Sequence, residues 1–401
     1  MADGGTCLPD DVLVKIFLLI PTYFRRPLRL ACKRWRTVID ERAPPEETLP
    51  AKILVFINQG RTSSALVFDC SSRHRTRAWT YTSSSGDGGG GSVRMVGTCN
   101  GLLCLHDHST FAGYSSSAVT VTNPATGETV ALPPVSPWWA CFVKATGHYS
   151  FGFHPETKLH KVVYIPRGDR SSLDDALQVF TLGGKAGAWR AVPVPVRGAC
   201  HDLLCEPVSV AGTTYWLAAG AAGRVMALDL GEGERVTSLD APPAMAPAPA
   251  RSASSRDTPP WRLTKVRASL GVVVSSPPGT CRRRVEVWVL DLDLGGGGER
   301  PPRWSRRYCV GETVWSSWVM APQLTHGDCV LSASRDEWDY ASSRRRKRTL
   351  HRHEASELAD GGGDGWQLPP PKGPQLIMSS EEREGELTTF AYVETRNPVP
   401  R

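Results

Sequence analysis

At 401 residues the chain is long enough for about two or three domains with sizeable cores, which excludes a disulfide-stapled miniprotein. Apolar residues make up 40%, charged residues 22% and aromatics 8%, so neither a wholly disordered nor a collagen-like chain fits. The net charge of +7 is modest and sits partly in local runs such as Arg344 to Arg348, which argues against a nucleic-acid-binding face.

Glycine and proline together are about 17% of the chain, above the usual ~12%, and that surplus implies many turns between short strands. There is no apolar run of about eighteen residues, and Met1 to Gly5 lack a basic segment followed by an apolar one. A soluble, unsecreted protein is expected. Eleven cysteines, an odd number scattered through the chain, suit reduced thiols in the cytoplasm or nucleus.

The first element is a helix beginning near Pro9, with Asp10 and Asp11 at the positive end of its dipole. At about 100° per residue from Val12, the residues Val12, Leu13, Ile16, Phe17 and Ile20 span an arc of about 140°, with Val14 and Leu18 on the other side. The helix is apolar nearly all round. A unit of about forty residues cannot bury both faces of such a helix, so one face needs a partner. A second basic helix is expected over 28–39, with Leu28, Cys32, Trp35 and Ile39 at helical spacing, and the stretch from Ala43 to Glu47 reads as a linker. The expected division is therefore a helical domain over 1–45 and a β domain over 46–401.

From Lys52 onward, short apolar strands are broken by Gly, Pro, Ser and Asp. A loose repeat starts near 52, 98, 149, 208, 268 and 329, each copy closing on a Trp or Pro. Sheets of about four strands repeated at roughly 40 to 50 residues are the signature of β-propeller blades, here six with loop insertions. The insertions are the low-complexity stretches 83–92, 241–260, 295–303, 342–348 and 360–374. A last strand, Thr388 to Glu394, is placed to pair with the first blade and close the ring.

Several residue groups invite a sharper reading. Cys99, Cys104, His106 and His108 resemble metal ligands, but the two cysteines have opposite parity on a strand, the two-residue zinc spacing is missing, and core packing explains them better. Cys200 and Cys205 repeat the same spacing at what reads as an equivalent blade position. Asn123 to Glu128 is read as a tight hairpin connection. The tryptophans recur near strand ends, as core residues would, except Trp138 and Trp139, which lie beside Pro137 in a loop-like stretch and are the candidate substrate contacts. Arg344 to Arg348 reads as a solvated loop, with nuclear localisation the competing use. No hydrolase, metalloprotease, phosphate-loop or dinucleotide motif stands in a convincing context, and no cofactor is expected.

Leu8 to Phe17 through Ile20-Pro21, with Trp35 in the run Ala31 to Arg36, resembles an F-box. The remainder resembles the F-box-associated domain of plant F-box proteins. The motifs that carry this are Cys99-Asn100-Gly101-Leu102-Leu103-Cys104, Asn123-Pro124-Ala125-Thr126-Gly127-Glu128, Phe151-Gly152-Phe153-His154-Pro155-Glu156-Thr157 with Lys161-Val162-Val163, Tyr215-Trp216-Leu217, and Tyr392-Val393-Glu394-Thr395.

The resemblance implies a mainly β protein: small N-terminal F-box helices, then a β-propeller-like, kelch-like domain. It also implies a non-catalytic substrate receptor of a cullin-based, SCF-type ubiquitin ligase. Its F-box docks on a Skp-type adaptor, and its β domain selects an unknown protein substrate, with no nucleic-acid or membrane partner. Leu8, Pro9, Leu13, Ile16, Phe17, Ile20, Pro21 and Trp35 are the adaptor-binding residues on this reading. The chain departs from the pattern at Arg25-Arg26-Pro27, where two leucines are usual; the two arginines are expected in a solvated turn, with weakened adaptor binding. The alternative is a glycan-binding or enzymatic propeller with no role in ubiquitination, for which the N-terminal helix would be superfluous.

Overall fold

The computed structural model describes residues 8–19, 28, 31–42, 51–69, 75–83, 90–111, 114–135, 147–166, 176–184, 186–196, 198–200, 203–218, 224–245, 261–275, 284–291, 302–311, 324–326, 329–335, 348–354, 356–357, 375–380, 386–395 and 397–400. Helix α1 (Asp10–Leu19) starts where Pro9 offers its carbonyl to the amides of Val12 and Leu13. The expected helix over 28–39 is instead broken. Cys32 is extended (φ −160°, ψ 163°), and its Sγ caps the short α2 (Lys33–Thr37) by accepting from Trp35 N, before a π-helical turn, Val38–Arg42. Tertiary contact sets this geometry: a short helix has little stability of its own, and α2 is held by Trp35 edge-on to Phe17, with ring centroids 5.3 Å apart.

Everything after Lys52 that is described as regular structure is β. The strands form six antiparallel sheets. The first holds β1 (Lys52–Gln59), β2 (Thr62–Phe68) and β3 (Arg75–Thr82). The second runs β4 (Gly90–Cys99), β5 (Leu102–Phe111), β6 (Tyr114–Thr122), β7 (Thr129–Ala131), and the third β8 (His148–His154), β9 (Leu159–Ile165), β10 (Ala176–Thr181), β11 (Arg190–Pro193). The fourth runs β12 (Val208–Val210), β13 (Thr213–Leu217), β14 (Arg224–Asp229), β15 (Val236–Asp240). The fifth has β16 (Trp261–Val266), β17 (Ser269–Ser275), β18 (Arg284–Asp291) and β19 (Arg303–Gly311). The sixth has β20 (Leu324–His326), β21 (Cys329–Arg335), β22 (Arg348–Glu354) and β24 (Gln375–Ser380), and lends β23 (Ser356–Glu357) to the edge of the fifth.

Closure comes from β25 (Glu386–Tyr392), which pairs with β1 from Lys52↔Tyr392 to Asn58↔Glu386 and so becomes the first strand of the first sheet. The leading strands then meet in a circuit: β25 against β4, β4 against β8, β8 against β12, β12 against β16, β16 against β20, and β20 against β25. That circuit is the β-propeller.

Why the strands read as apolar on both faces is visible at β1. Ile53, Val55 and Ile57 pack on Leu331 and Leu350 of the sixth sheet, while Leu54 and Phe56 pack on Val93, Met95, Leu103 and Leu105 of the second. Alternate side chains thus fill two different inter-sheet cores, as period-two geometry requires. The outer strand β3 is largely exposed.

Three expected starts move. The second repeat begins at Gly90, inside the glycine-rich stretch expected to be an insertion, the fifth at Trp261 rather than near 268, and the sixth at Leu324 rather than near 329, where its second strand starts. In the first two cases low-complexity sequence next to the first strand hides it. Tryptophans stitch neighbouring sheets: Trp189 Nε1 donates to Pro133 O and Trp304 Nε1 to Asp240 O, each at 2.7 Å, while the fully buried Trp216 donates to Ala199 O. No described helix is long and apolar enough to cross a membrane.

Candidate functional site

Helix α1 has two apolar faces with different fates. Leu13 and Phe17 are buried with Val38 and Ile39, and Val14, Leu28 and Trp35 pack around them. Leu8, Val12 and Ile16 remain 49%, 39% and 38% exposed. Of the four large apolar side chains exposed among the described residues, Val12 and Ile16 lie one turn apart on α1 and Leu8 stands two residues before its start, an exposed apolar row of the kind that marks interaction surfaces.

Charge pins this helix in place. Arg34 donates from Nε and Nη2 to Asp10 Oδ1 at 2.9 and 2.6 Å, and from Nη2 to Leu8 O at 2.5 Å. Arg42 pairs with Asp11. Exposed ion pairs are worth at most about 1 kcal/mol each, so they orient the helix while the Leu13 and Phe17 side holds it.

The structure thus divides the residues expected to bind an adaptor. Leu8, Pro9 and Ile16 are on the surface, joined by Val12, which the sequence had placed only on a shared arc. Leu13 and Phe17 are inside and can serve an interface only by fixing the helix; Trp35 is half-buried on the same core. Ile20, Pro21, Arg25, Arg26, Pro27, Trp138 and Trp139 lie outside the described residues, as do Arg344 to Lys347.

The β-domain motifs converge on joints of the ring. Asn100 and Gly101 have φ of 48° and 77°, making the tight turn between β4 and β5, and a Cβ on Gly101 would lie 2.3 Å from Thr395 Cγ2. The Asn123 hairpin is a turn, as expected, with Gly127 at φ 78°. Its buried side chain does more: Nδ2 donates to Thr395 O and Asn397 O at 3.2 and 2.7 Å while Oδ1 accepts from Ala125 N. Glu128 Oε2 accepts from Val399 N at 3.0 Å, and Val399 is buried in the core between the second and third sheets. Thr395, Asn397 and Val399 therefore latch the strand that closes the first sheet onto the second. Asn123→Ala leaves two carbonyls without their donor and should lower the unfolding free energy by about 1 to 3 kcal/mol, read from the midpoint of chemical denaturation.

The remaining motifs meet between the third and fourth sheets. A Cβ on Gly152 would lie 2.6 Å from Leu230 Cδ1 and 2.8 Å from Ser209 Cβ, which explains glycine inside that strand. Ser150, Ser209 and Thr214 hydroxyls form a chain at 2.8 and 2.7 Å across the joint. Lys161 Nζ donates to Glu234 Oε1 at 2.7 Å and to Gly231 O at 3.1 Å, and Arg190 reaches the same carboxylate from the surface.

The cysteine and histidine group sits in ordinary packing. Cys104 is fully buried, and burial pushes its thiol far up. His106 is on the same strand face, its Nε2 2.8 Å from Ser117 Oγ and its ring 4.7 Å from Tyr149. Burial, then the charges of His108 and Arg94, push it down to about 4.

Comparison with known proteins agrees with these two units. Residues 6–45 match the family model for the F-box domain, and residues 52–321 match that for the F-box associated beta propeller domain. Two curated relatives come from Arabidopsis thaliana. F-box protein At3g07870 is 26% identical over 47% of this chain and 49% of its own length; putative F-box protein At1g33530 is 24% identical over 56% and 48%. The chain thus spans about half the length of the curated relatives it matches. Among solved structures, the β-propeller domain of the Trilobed protease from Pyrococcus furiosus superposes with a TM-score of 0.34 at 9% identity, over 76% of this chain and 99% of that one, too loosely to bear on function.

Proposed function

We propose a function from the premise that this chain belongs to the F-box proteins that carry an F-box associated beta propeller domain. It is the substrate-recognition subunit of an SCF-type ubiquitin ligase. Its α1 stripe docks on a Skp-type adaptor, and through it on a cullin, while the propeller holds a target protein for ubiquitination. The exposed row Leu8, Val12, Ile16 carries this reading, because an apolar stripe held rigid by a buried opposite face is what a partner helix needs for a groove. Leu8, Pro9, Val12 and Ile16 touch the adaptor, with Ile20 and Pro21 extending the contact; Leu13, Phe17 and Trp35 fix the helix.

The chain itself supplies no bond chemistry. It raises the effective concentration of target near a ubiquitin-charged partner. The unbridged thiols of Cys32, Cys104 and Cys205 suit a cytoplasmic or nuclear site of action. A glycan-binding or enzymatic propeller would leave the α1 stripe without a role.

The test is capture of a purified Skp-type adaptor by the full chain and by a chain lacking residues 1–45. The full chain should retain the adaptor and the shortened one should not, while keeping its β circular dichroism. Equal capture by both would end the proposal.

A further inference from the structure

Away from the α1 stripe and the inter-sheet joints, charged side chains from four successive sheets gather at one end of the ring axis. His148 is the first residue of β8, and its Nδ1 lies 3.0 Å from Oε2 of Glu206, which stands two residues before β12. Arg94 of β4 and Arg262 of β16 lie close enough for their charges to act on Glu206. These residues are far apart in sequence and come together only because the leading strands of the sheets run side by side around the axis.

The Glu206 side chain is 71% exposed, and the partial desolvation it does undergo would raise its carboxyl. The hydrogen bond with His148 and the two guanidinium charges outweigh that and hold it below the usual carboxylate range, so Glu206 is ionised. Neither Arg94, which is exposed, nor Arg262, which is half-buried, is in a hydrogen bond or ion pair among the described residues. Two guanidinium forks therefore stand free beside one fixed carboxylate. With histidine counted as uncharged, the cluster carries one net positive charge. One carboxylate complements that, whereas a phosphate of nearly two negative charges would meet Glu206 with its second charge uncompensated.

We propose that this axial end is where the target protein docks, and that the docked segment is acidic, presenting an Asp or Glu carboxylate between Arg94 and Arg262. Guanidinium suits this: its planar donors take a carboxylate bidentately, and arginine is enriched at the centres of protein interfaces. Glu206 tunes the site, opposing the ligand charge and restricting it to single anions. This step rests on the substrate-receptor reading above, though its chemistry can be measured without the adaptor.

The probe is fluorescein-labelled octaglutamate, titrated against the full chain and followed by fluorescence anisotropy. Wild type should bind, more weakly as salt rises. Arg94→Ala with Arg262→Ala should weaken binding at least about tenfold. Arg75→Ala with Arg303→Ala removes the same charge from exposed positions on outer strands and should change binding less than about twofold. Glu206→Gln should tighten it several-fold, a sign that loss of structure would not give. An octapeptide alternating phosphoserine and alanine, similar in total charge, should bind less tightly than octaglutamate. Thermal melts confirm folding of each variant, and the exposed Arg94→Ala alone carries the test if the double variant fails to fold.

Equal losses from the axial and outer-strand pairs, weaker binding by Glu206→Gln, or preference for phosphoserine would each overturn the proposal. Ile16→Asp in the same assay should bind octaglutamate as wild type does. Failure of the axial site and failure of adaptor docking are thereby read separately.

Discussion

Lys161→Met should lower the unfolding free energy by about 3 kcal/mol, measured by chemical denaturation with an unchanged slope. Lys161 and Glu234 are both nearly inaccessible, their side chains 5% and 1% exposed, so removing the ammonium leaves a carboxylate in the joint between the third and fourth sheets. Breaking such a pair costs about 3 to 5 kcal/mol. The lower end applies because Arg190 still reaches Glu234 from the surface. Lys161→Met with Glu234→Leu should recover much of the loss, since no charge is then buried alone. If the single replacement costs no more than Arg190→Ala, the pair is solvated and the joint is held by packing alone.

Removing residues 386–401 should abolish cooperative folding. That cut strips β25 from β1, exposing the backbone edge from Lys52 to Asn58, and takes Leu387, Tyr392 and Val399 out of three inter-sheet cores. Each such side chain is worth about 1.5 to 3 kcal/mol, and the edge is a template for aggregation, against a total stability of about 5 to 15 kcal/mol. Ending the chain after Glu394 keeps the strand and loses only the latch; that protein should stay monomeric with a lower midpoint. Sedimentation and calorimetry distinguish the cases. A monomer lacking 386–401 that melts as sharply as the full chain would show that the ring does not depend on this strand.

The β repeats, the closing strand and the two-faced first helix were all legible in the sequence, because each rests on short-range periodicity. The unbroken apolar run Ile53 to Ile57 fits a strand buried on both faces, since two neighbouring sheets each take alternate side chains. What the helical wheel could not decide was where the faces divide. Val12, Leu13, Ile16 and Phe17 share an arc, but the contact with Trp35 draws Leu13 and Phe17 inward and leaves Val12 and Ile16 out. The break at Cys32 was hidden for the same reason: spacing suggests one helix, and tertiary contact makes a short one.

Long-range roles were the least visible. Asn123 reads as a turn former and is one, yet its side chain holds backbone more than 270 residues later in the chain, which no local pattern encodes. Glycines gave the available signal. Gly101 and Gly152 sit where a Cβ would strike a distant segment, so glycine inside these motifs marks close approach in the fold rather than chemistry. The axial cluster gave no signal at all, since Arg94, His148, Glu206 and Arg262 stand in unrelated local contexts.

The central claim is that the exposed stripe of α1 is the adaptor contact and its buried stripe only a support. Titrating a Skp-type adaptor into wild type and Ile16→Asp, with the thermal midpoint of each recorded, tests it most directly. Ile16 is 38% exposed in the free chain and would be covered in the complex. Losing that remaining burial, roughly 0.6 to 1.1 kcal/mol, and desolvating a carboxylate in its place should together weaken binding at least about tenfold with the midpoint unchanged. Unchanged affinity for Ile16→Asp would contradict the account.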